Sequence, residues 1–287
     1  MKINKLTLSS SRFPKTLSQQ VGMPQILYHM GAPLESLLSR PRVAIVGSRS
    51  ISTYGSQVTS RLAQELAKQG LVIVSGLAIG ADRQAHKSAL EVGGLSIAVL
   101  PSPLDNIVPY ANPHLAQTIL NKGGALVSEY PTGVPPLKQN FVARNRIVAG
   151  LSQAILITEA SEKSGTLHTA RFALDQGKEV LAIPGPITTP GSVGTNNLIK
   201  TGATLVTSYK DVLYALGMHQ RISPQKNIRG RNANEQIIID LMIQGISDAE
   251  IILNKSQLSI KGFNQAMTML EVGGLIRALG ANHWAIC

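Results

Sequence analysis

The sequence predicts an α/β protein: an extended Rossmann-like, doubly wound and mainly parallel sheet, followed by a small C-terminal winged-helix domain. Three observations predict this fold class. Short, continuous apolar runs alternate with segments of helical periodicity from residue 42 to residue 217. Hydrophobic residues make up 44% of the chain and charged residues only 15%, as in a globular protein with a substantial core. The composition then changes after Gly217, where a polar stretch precedes a second set of helical segments.

The apolar runs of the larger domain are the predicted strands. They lie at residues 43–46, 71–74, 96–99, 125–127, 154–157, 180–183 and 204–206. Runs without polar alternation are typical of strands that are buried on both faces, as in parallel sheets. Most of the intervening segments carry helical spacing, for example Val58, Leu62 and Leu66. Helices are therefore expected to cover both faces of the sheet.

The first 41 residues do not follow this alternation. Phe13-Pro14, Gly22-Met23-Pro24 and Gly31-Ala32-Pro33 punctuate them around one short apolar run. Proline and glycine are strong local breakers of regular structure. We therefore expect residues 1–41 to form an ordered lead-in segment that packs on the core, and residues 42–217 to form the Rossmann-like domain.

The last seventy residues predict a linker and a second domain. Residues 218–232 are polar and basic and include Pro224, which is typical of a linker. Helices are predicted at residues 235–244, 248–254 and 260–271, and a hairpin at 275–287 that turns near residues 280–282. Three helices and a hairpin are typical of a winged-helix domain, which we place at residues 233–287.

The formal net charge of +11 favours an anionic partner such as nucleic acid. Residues 1–217 hold 20 Lys and Arg against 11 Asp and Glu, a balance of +9, whereas residues 218–287 hold 7 against 5, a balance of +2. The larger domain is therefore expected to carry the main contact with that partner.

The single cysteine, Cys287, excludes an intrachain disulfide and a cysteine metal cluster. This use of cysteine suits a reducing compartment. The sequence contains neither the apolar core of a signal peptide near Met1 nor an apolar run long enough to span a bilayer. We expect a cytoplasmic protein without a membrane partner.

Two glycine-containing loops are candidate anion sites. In open parallel sheets, ligands bind outside the carboxyl ends of the strands. Gly47, Ser48 and Arg49 follow the first predicted strand, where small residues expose backbone N–H groups and a guanidinium suits phosphate. Ser164, Gly165 and Thr166 precede a predicted helix and could cap it, bind a phosphate, or do both.

A third segment combines positive charge with one aromatic ring. Lys138, Arg144 and Arg146 flank Phe141 and Asn145, and no acidic residue lies among them. Phosphates favour Lys and Arg, and an exposed phenyl ring offers a stacking face to an unpaired base. The alternative is that Phe141 belongs to the core and that the charges form a solvated helix face.

The sequence contains no Walker A motif, no nucleophile elbow and no pair of carboxylates at a useful spacing. Asp82 and His86 are four residues apart on a predicted helix, which is too few ligands for a closed metal site. Asp82 is instead expected to stabilise the N-terminus of its own helix. We expect no catalytic residues, no cofactor, no metal ion and no enzymatic activity.

Taken together, the loops resemble those of the DprA/Smf family of DNA-processing proteins. The motifs that carry the resemblance are VAIVGSR at 43–49, SGLAIGAD at 75–82 with His86, SEYP at 128–131, FVARNRIVAGLS at 141–152, SGTLHTA at 164–170, and residues 183–185 with 194–203. Each motif is weak alone, but the ordered set is highly specific. Within them, Val142 stands where members usually have proline, Pro101-Ser102-Pro103 replaces a glycine-containing turn, and the N-terminal helical domain of many members is not recognisable.

The resemblance implies an extended Rossmann fold that binds single-stranded DNA and loads the recombinase RecA onto it during natural transformation. It also implies a homodimer. By the same resemblance, Gly47, Ser48 and Arg49 would seat a phosphate, Lys138 would contact the DNA backbone, and Phe141 would stack on a base. Arg144, Asn145 and Arg146 would complete the basic pocket.

Two other functions compete with this one. The first is a nucleotide-binding hydrolase resembling the lysine-decarboxylase-like phosphoribohydrolases, whose PGGxGTxxE pattern includes a catalytic glutamate. Here Thr169 stands in its place, and Lys163-Ser164 replaces the first glycines. The second is a regulator that reads duplex DNA through the winged helix, where Lys261, Asn264 and Gln265 could reach base edges.

Overall fold

The computed structural model describes residues 2–20, 22–109, 111–218, 230–280 and 282–286. The chain divides into two compact units, Met1–Ile222 and Ser223–Cys287. Most of the predicted linker at 218–232 falls at residues 219–229, which lie outside the described residues. The two units are therefore considered one at a time.

The first unit is built on a nine-stranded sheet within the described residues. Its strands are β1 (Asn4–Thr7), β2 (Ile26–Gly31), β3 (Arg42–Val46), β4 (Val72–Ser75), β5 (Ser96–Val99), β6 (Ala125–Ser128), β7 (Ala154–Ile157), β8 (Glu179–Ala182) and β9 (Thr204–Leu205). Its helices are α1 (Lys15–Ser18), α2 (Leu34–Leu38), α3 (Thr53–Lys68), α4 (Ala81–Glu91), α5 (Pro113–Asn121), α6 (Lys138–Gly150), α7 (Thr166–Asp175), α8 (Val193–Lys200) and α9 (Tyr209–Ala215). Every predicted apolar run is a strand, and the predicted α/β fold class is confirmed.

The strand order is β1-β2-β6-β5-β4-β3-β7-β8-β9. From β6 to β9 all neighbours are parallel, and β3 pairs with β4 on one side and with β7 on the other. The chain moves outwards from β3 in one direction up to β6 and then returns to build β7 on the opposite side. This reversal opens a crevice at the carboxyl ends of β3 and β7, where doubly wound sheets bind ligands.

Apolar side chains fill the space on both faces of this sheet. Ala44 and Val46 of β3 point into one buried cluster, together with Ile155 of β7. Val43 and Ile45 of the same strand point into the other. Successive residues of a strand face opposite sides, so a strand must be apolar throughout when helices cover both faces.

The first 41 residues do more than pack on the core. β1 and β2 extend the sheet at its β6 edge through antiparallel pairing, with Tyr28 opposite Ser128. Leu17 and Leu27 are completely buried. The expectation of a packing segment is thus corrected: it supplies two strands, because an antiparallel strand can add to the edge of a parallel sheet without a crossover helix.

The second unit contains the expected elements in the expected order. They are α10 (Ala233–Ile243), α11 (Ala249–Ser256), α12 (Ile260–Val272) and an antiparallel hairpin of β10 (Ile276–Gly280) and β11 (His283–Ile286). The side chains of Asn232, Asp248 and Ser259 cap the three helices. The unit has its own apolar core, which includes Ile252 and Phe263. Its assignment as a winged helix remains a prediction.

Among the described residues, none of the helices combines the length and the apolar character that crossing a membrane requires.

We predict that Leu27→Ala in β2 lowers the free energy of unfolding by about 2–5 kcal/mol, the usual cost of truncating a fully buried leucine. Leu8→Ala is the matched control, because Leu8 is 40% exposed and should cost about 0.5 kcal/mol or less. Urea unfolding of the two variants measures the difference. Equal stabilities would mean that the lead-in strands are not part of the cooperative sheet.

Candidate functional site

A cavity of about 780 Å³ opens at the carboxyl ends of β3 and β7. Ten of the eleven residues that the sequence singled out line it: Gly47, Ser48, Arg49, Lys138, Phe141, Arg144, Asn145, Ser164, Gly165 and Thr166. Three separate loops and the start of α6 therefore meet at one site. The eleventh residue, Arg146, lies elsewhere.

The loop after β3 is held from both sides by backbone hydrogen bonds. The N–H of Ser48 donates to the carbonyl of Glu159 (2.8 Å), and the N–H of Ala81 donates to the carbonyl of Ser48 (3.0 Å). Close packing explains the glycines here. A Cβ on Gly47 would lie 2.8 Å from the Cβ of Ala81, and Gly80 has a φ of +83° with its Cβ position 2.2 Å from the carbonyl of Ser48. The loop is consequently rigid at its base.

Glu159 is a residue of this site that the sequence interpretation did not single out. It lies directly after β7, is buried, and lines the cavity. Its carboxylate accepts a hydrogen bond from the backbone N–H of Ser52 (3.1 Å) and a second from the Ser52 hydroxyl. Ser52 in turn caps α3 by accepting from the N–H of Gly55 (3.0 Å). A carboxylate following a buried strand, with a serine N-cap ahead of the facing helix, is the signal that could have identified it.

The N-terminus of α7 forms the facing wall. The Thr166 N–H donates to the Ser164 hydroxyl oxygen (3.3 Å), and the Thr166 hydroxyl donates to the carbonyl of Gly47 (2.9 Å). Thr166 therefore ties this wall to the β3 loop, while Gly165 is exposed at the cavity. The first turn of α7 contains no acidic side chain. The positive end of the helix is left available to an anion.

The start of α6 supplies the remaining wall. Lys138, Phe141 and Asn145 are three and four residues apart, so they share one face of the helix, and all three line the cavity. Lys138 is exposed and Phe141 is half-buried. The guanidinium carbon of Arg49 lies 5.1 Å from the centroid of the Phe141 ring. Phe141 is thus a wall residue of the cavity rather than a member of the core.

Arg144 reaches the floor of the cavity but is buried, with 3% of its surface exposed. Its guanidinium donates to the carbonyls of Gly76 and Val99, at the carboxyl ends of β4 and β5. Burial lowers the pKa of Arg144 to about 10, against the opposing effect of the Asp82 carboxylate, while the nearby Arg49 lowers it further. Arg144 therefore anchors α6 to the sheet, which the interpretation as a DNA contact did not anticipate.

Arg146 does not line the cavity, contrary to the expectation of one shared groove. Its guanidinium pairs with the carboxylate of Glu129 (2.6 Å) and donates to the carbonyl of Gly22 (2.8 Å). It lines a different depression beside Phe172. The reason is helical phase, because residues 144 and 146 are two apart and point about 200° away from each other around the axis.

Asp82 and His86 lie behind the cavity in the protein interior. The Asp82 carboxylate accepts from the N–H of Gly76 (3.0 Å), so it stabilises the loop before α4 rather than the helix end itself. Burial raises the pKa of Asp82, opposed by Arg144. No set of three or more His, Cys, Asp or Glu side chains within the described ranges is placed to hold a metal ion.

His86 is buried with a defined proton position. Its Nδ1 lies 2.6 Å from the hydroxyl oxygen of Ser96, and that hydroxyl donates to the carbonyl of Ile73 (2.8 Å). Nδ1 must therefore be the donor to Ser96. Nε2 has no partner among the described residues. Burial, reinforced by the charge of Arg144, lowers the pKa of His86 to about 3.

The two departures from the family pattern lie in different environments. Val142 is 41% exposed and lines the cavity. Residues 101–103 follow β5 and are buried, and the carbonyl of Ser102 accepts from the Ser128 hydroxyl (2.7 Å). Only Val142 can therefore touch a ligand of the cavity directly.

Comparison with known proteins identifies relatives of this chain. The family described as DNA recombination-mediator protein A matches residues 4–217. Protein Smf from Escherichia coli (strain K12) is 48% identical over 212 residues, which cover 73% of this chain and 56% of that protein. DNA processing protein DprA from Streptococcus pneumoniae (strain ATCC BAA-255 / R6) is 44% identical over 201 residues, which cover 70% of each chain. The chain thus spans little more than half of the Escherichia coli relative.

Solved structures show the same fold. The X-ray structure of DprA from Streptococcus pneumoniae superposes with a TM-score of 0.69 at 41% identity and covers 74% of each chain. DNA processing protein A from Helicobacter pylori, solved for its single-stranded DNA binding mode, superposes with a TM-score of 0.67 at 35% identity. That superposition covers 75% of this chain and 95% of the other.

We predict that Arg144→Met lowers the free energy of unfolding by about 2–4 kcal/mol, because it leaves buried carbonyls and the Asp82 carboxylate without their cation. Chemical denaturation measures the loss. Arg171→Met is the matched control, because Arg171 is exposed on α7 and should change stability by about 0.5 kcal/mol or less. A loss no greater than the control's would show that Arg144 is not an anchor.

We predict that His86 makes the fold less stable as the pH falls. Below pH 6.5 the unfolded chain binds a proton at this imidazole, whereas the folded chain does so only near pH 3. This difference should cost about 2 kcal/mol of unfolding free energy at pH 5 relative to pH 7.5. His86→Asn, which retains a donor for Ser96, should lose that part of the pH dependence, with His168→Asn as the control for removing an exposed imidazole. Parallel stability profiles for wild type and His86→Asn would contradict the assignment.

Proposed function

Because this chain belongs to the DNA recombination-mediator protein A family, the DprA/Smf proteins, we propose that it binds single-stranded DNA in the cavity at the carboxyl ends of β3 and β7. Binding is independent of base sequence. The bound strand is then loaded with the recombinase RecA during DNA uptake and natural transformation. The protein acts in the cytoplasm as a homodimer and is not an enzyme.

One observation carries the proposal: the cavity places an aromatic ring between two cations. Phe141 shares a helix face with Lys138 and lies beneath the guanidinium of Arg49. Phosphates are attracted to the cations, and every base offers a π-face to the ring regardless of its identity. This combination suits a single strand, whose bases are free to stack. A duplex has already paired and stacked its bases.

The facing wall adds a second anion contact. The N-terminus of α7 exposes Gly165 at the cavity and has no acidic residue in its first turn. Backbone N–H groups at a helix N-terminus bind phosphate without reading a base. A strand that crosses from α6 to α7 can therefore place its backbone on both walls and a base on Phe141.

The Helicobacter pylori relative supports the choice of ligand. It is described as binding single-stranded DNA, and it covers 75% of this chain at 35% identity. The matched region contains the sheet and the loops that form the cavity. Transfer of the ligand class to this chain rests on that shared framework together with the cations and ring of the cavity.

The hydrolase alternative lacks a free catalytic carboxylate. Thr169 lines the cavity where that family has its glutamate. Glu159 also lines the cavity, but its carboxylate is occupied by the backbone and hydroxyl of Ser52. A general base needs a carboxylate within reach of substrate and free to accept its proton. The arrangement supports a binding function.

The charge of the second unit argues against a duplex-DNA regulator. Its folded part, residues 230–287, holds 4 Lys and Arg against 5 Asp and Glu, a balance of −1. Duplex binding draws most of its affinity from cations that neutralise phosphates. We therefore assign DNA binding to the first unit and a protein contact to the predicted winged helix.

We predict that the protein prefers a labelled single-stranded oligonucleotide to the equivalent duplex. Phe141→Ala should weaken single-strand binding by about 1–3 kcal/mol, the contribution of one stacked base. The slope of log affinity against log salt should stay the same, because it counts phosphates, at about −0.7 for each one contacted. Fluorescence anisotropy across a salt series measures both quantities.

Phe172→Ala is the matched control, since Phe172 is a half-buried ring on the neighbouring helix that lines a different depression. It should leave single-strand affinity unchanged. A preference for duplex, or no binding at moderate salt, would contradict the proposed function.

A further inference from the structure

We propose that Arg49 is a base-stacking residue, and that its guanidinium and the Phe141 ring act as one stacking unit that selects for unpaired bases. This assignment rests on the proposed function and refines it. By resemblance to the family, Arg49 was expected to seat a phosphate. The structure instead places its guanidinium over an aromatic ring.

The ring is the contact that positions the Arg49 side chain. The guanidinium carbon lies 5.1 Å from the centroid of the ring, within the range of cation–π attraction. Arg49 is exposed and makes no ion pair or hydrogen bond with any described residue. An exposed arginine free of acidic partners would otherwise sample many rotamers in water. Its placement over Phe141 is therefore specific to that ring.

The main chain brings the two side chains together. Ser48 is fixed by hydrogen bonds to Glu159 and Ala81 (2.8 and 3.0 Å), and the N–H of Ser50 donates to the Ser48 hydroxyl oxygen (3.1 Å). The opposing ring is carried by α6, which Arg144 anchors to the sheet. Both members of the pair thus rise from rigid supports, and only the exposed Arg49 side chain is free to adjust.

Guanidinium chemistry allows Arg49 to serve a base and a phosphate at once. Its flat face stacks on an aromatic or base plane, while its N–H groups point outwards from the edge of the same plane. A base that enters the unit finds a planar cation and a phenyl ring as stacking partners. A lysine ammonium carries the same charge but has no planar face. Arg49→Lys therefore separates stacking from charge.

Lys138 supplies the comparison within the same cavity. It is exposed one helical turn before Phe141 and lines the same wall. A lysine contacts phosphate as a point charge and is indifferent to the base. The division of labour that follows is testable: Lys138 should respond to the number of phosphates, and Arg49 to the presence of bases.

The experiment compares an intact single strand with an abasic single strand of the same length and phosphate number, across a salt series. For Arg49→Lys we expect affinity for the intact strand to fall about 3- to 10-fold, in the range of one exposed cation–π or stacking contact. Affinity for the abasic strand should change less than about 2-fold, because the charge is retained, and the salt slope should be unchanged.

Two further variants sharpen the test. Lys138→Gln should weaken both strands to the same extent and make the slope shallower by about 0.7, the value for one lost phosphate contact. In a Phe141→Leu background, Arg49→Lys should have no further effect on the intact strand, because the unit is already broken. Thermal unfolding confirms that the variants fold, which is expected since Arg49 and Lys138 are exposed.

Equal weakening of both strands by Arg49→Lys, or no weakening of the intact strand, would overturn the stacking assignment and restore Arg49 as a phosphate contact. Such a result leaves the wild-type preference for single strands intact, so it is distinguishable from failure of the proposed function. If wild type itself does not bind the intact strand, both the proposed function and this inference are overturned.

Discussion

The burial of one arginine organises the site. Arg144 is a cation almost without access to water, and such a charge is tolerated only when hydrogen bonds and a nearby anion replace its hydration. It finds them at the carbonyls of Gly76 and Val99 and in the field of Asp82. Because these carbonyls end two neighbouring strands, satisfying the guanidinium fixes α6 against the sheet. The placement of Lys138 and Phe141 follows from that fit.

The opposite wall is ordered by a carboxylate and by steric fit. Glu159 holds Ser52 and its backbone carbonyl holds Ser48, while Thr166 reaches across to Gly47. Each of these contacts joins a segment after β3 to a segment after β7. The cavity is therefore preorganised by its own walls, and a ligand would need to order few groups on binding. The exposed Arg49 side chain is the adjustable part of an otherwise rigid rim.

Most of the sheet could be predicted because buried parallel strands leave an unmistakable apolar pattern. β2 could not, because an antiparallel edge strand with His29 at a buried position lacks that pattern. Ten site residues were predicted since loops at strand ends converge whatever their contacts. The split between Arg144 and Arg146 was missed, although Arg144 lies three and four residues before the buried Ile147 and Val148 and hence on the sheet side of α6. Long-range partners such as Glu129 for Arg146 leave no local signal.

The central pairing of β3 with β7 has a consequence for how the chain becomes competent. Val43 lies beside Ala154, so the two strands that frame the crevice are separated by more than a hundred residues of intervening chain. During synthesis, β4, β5 and β6 emerge first and can assemble on one side of β3, while its other edge waits unpaired. Such an edge is an aggregation hazard until its partner arrives. The walls of the cavity can meet only when β7 docks, which makes assembly of the crevice a late event coupled to closure of the sheet.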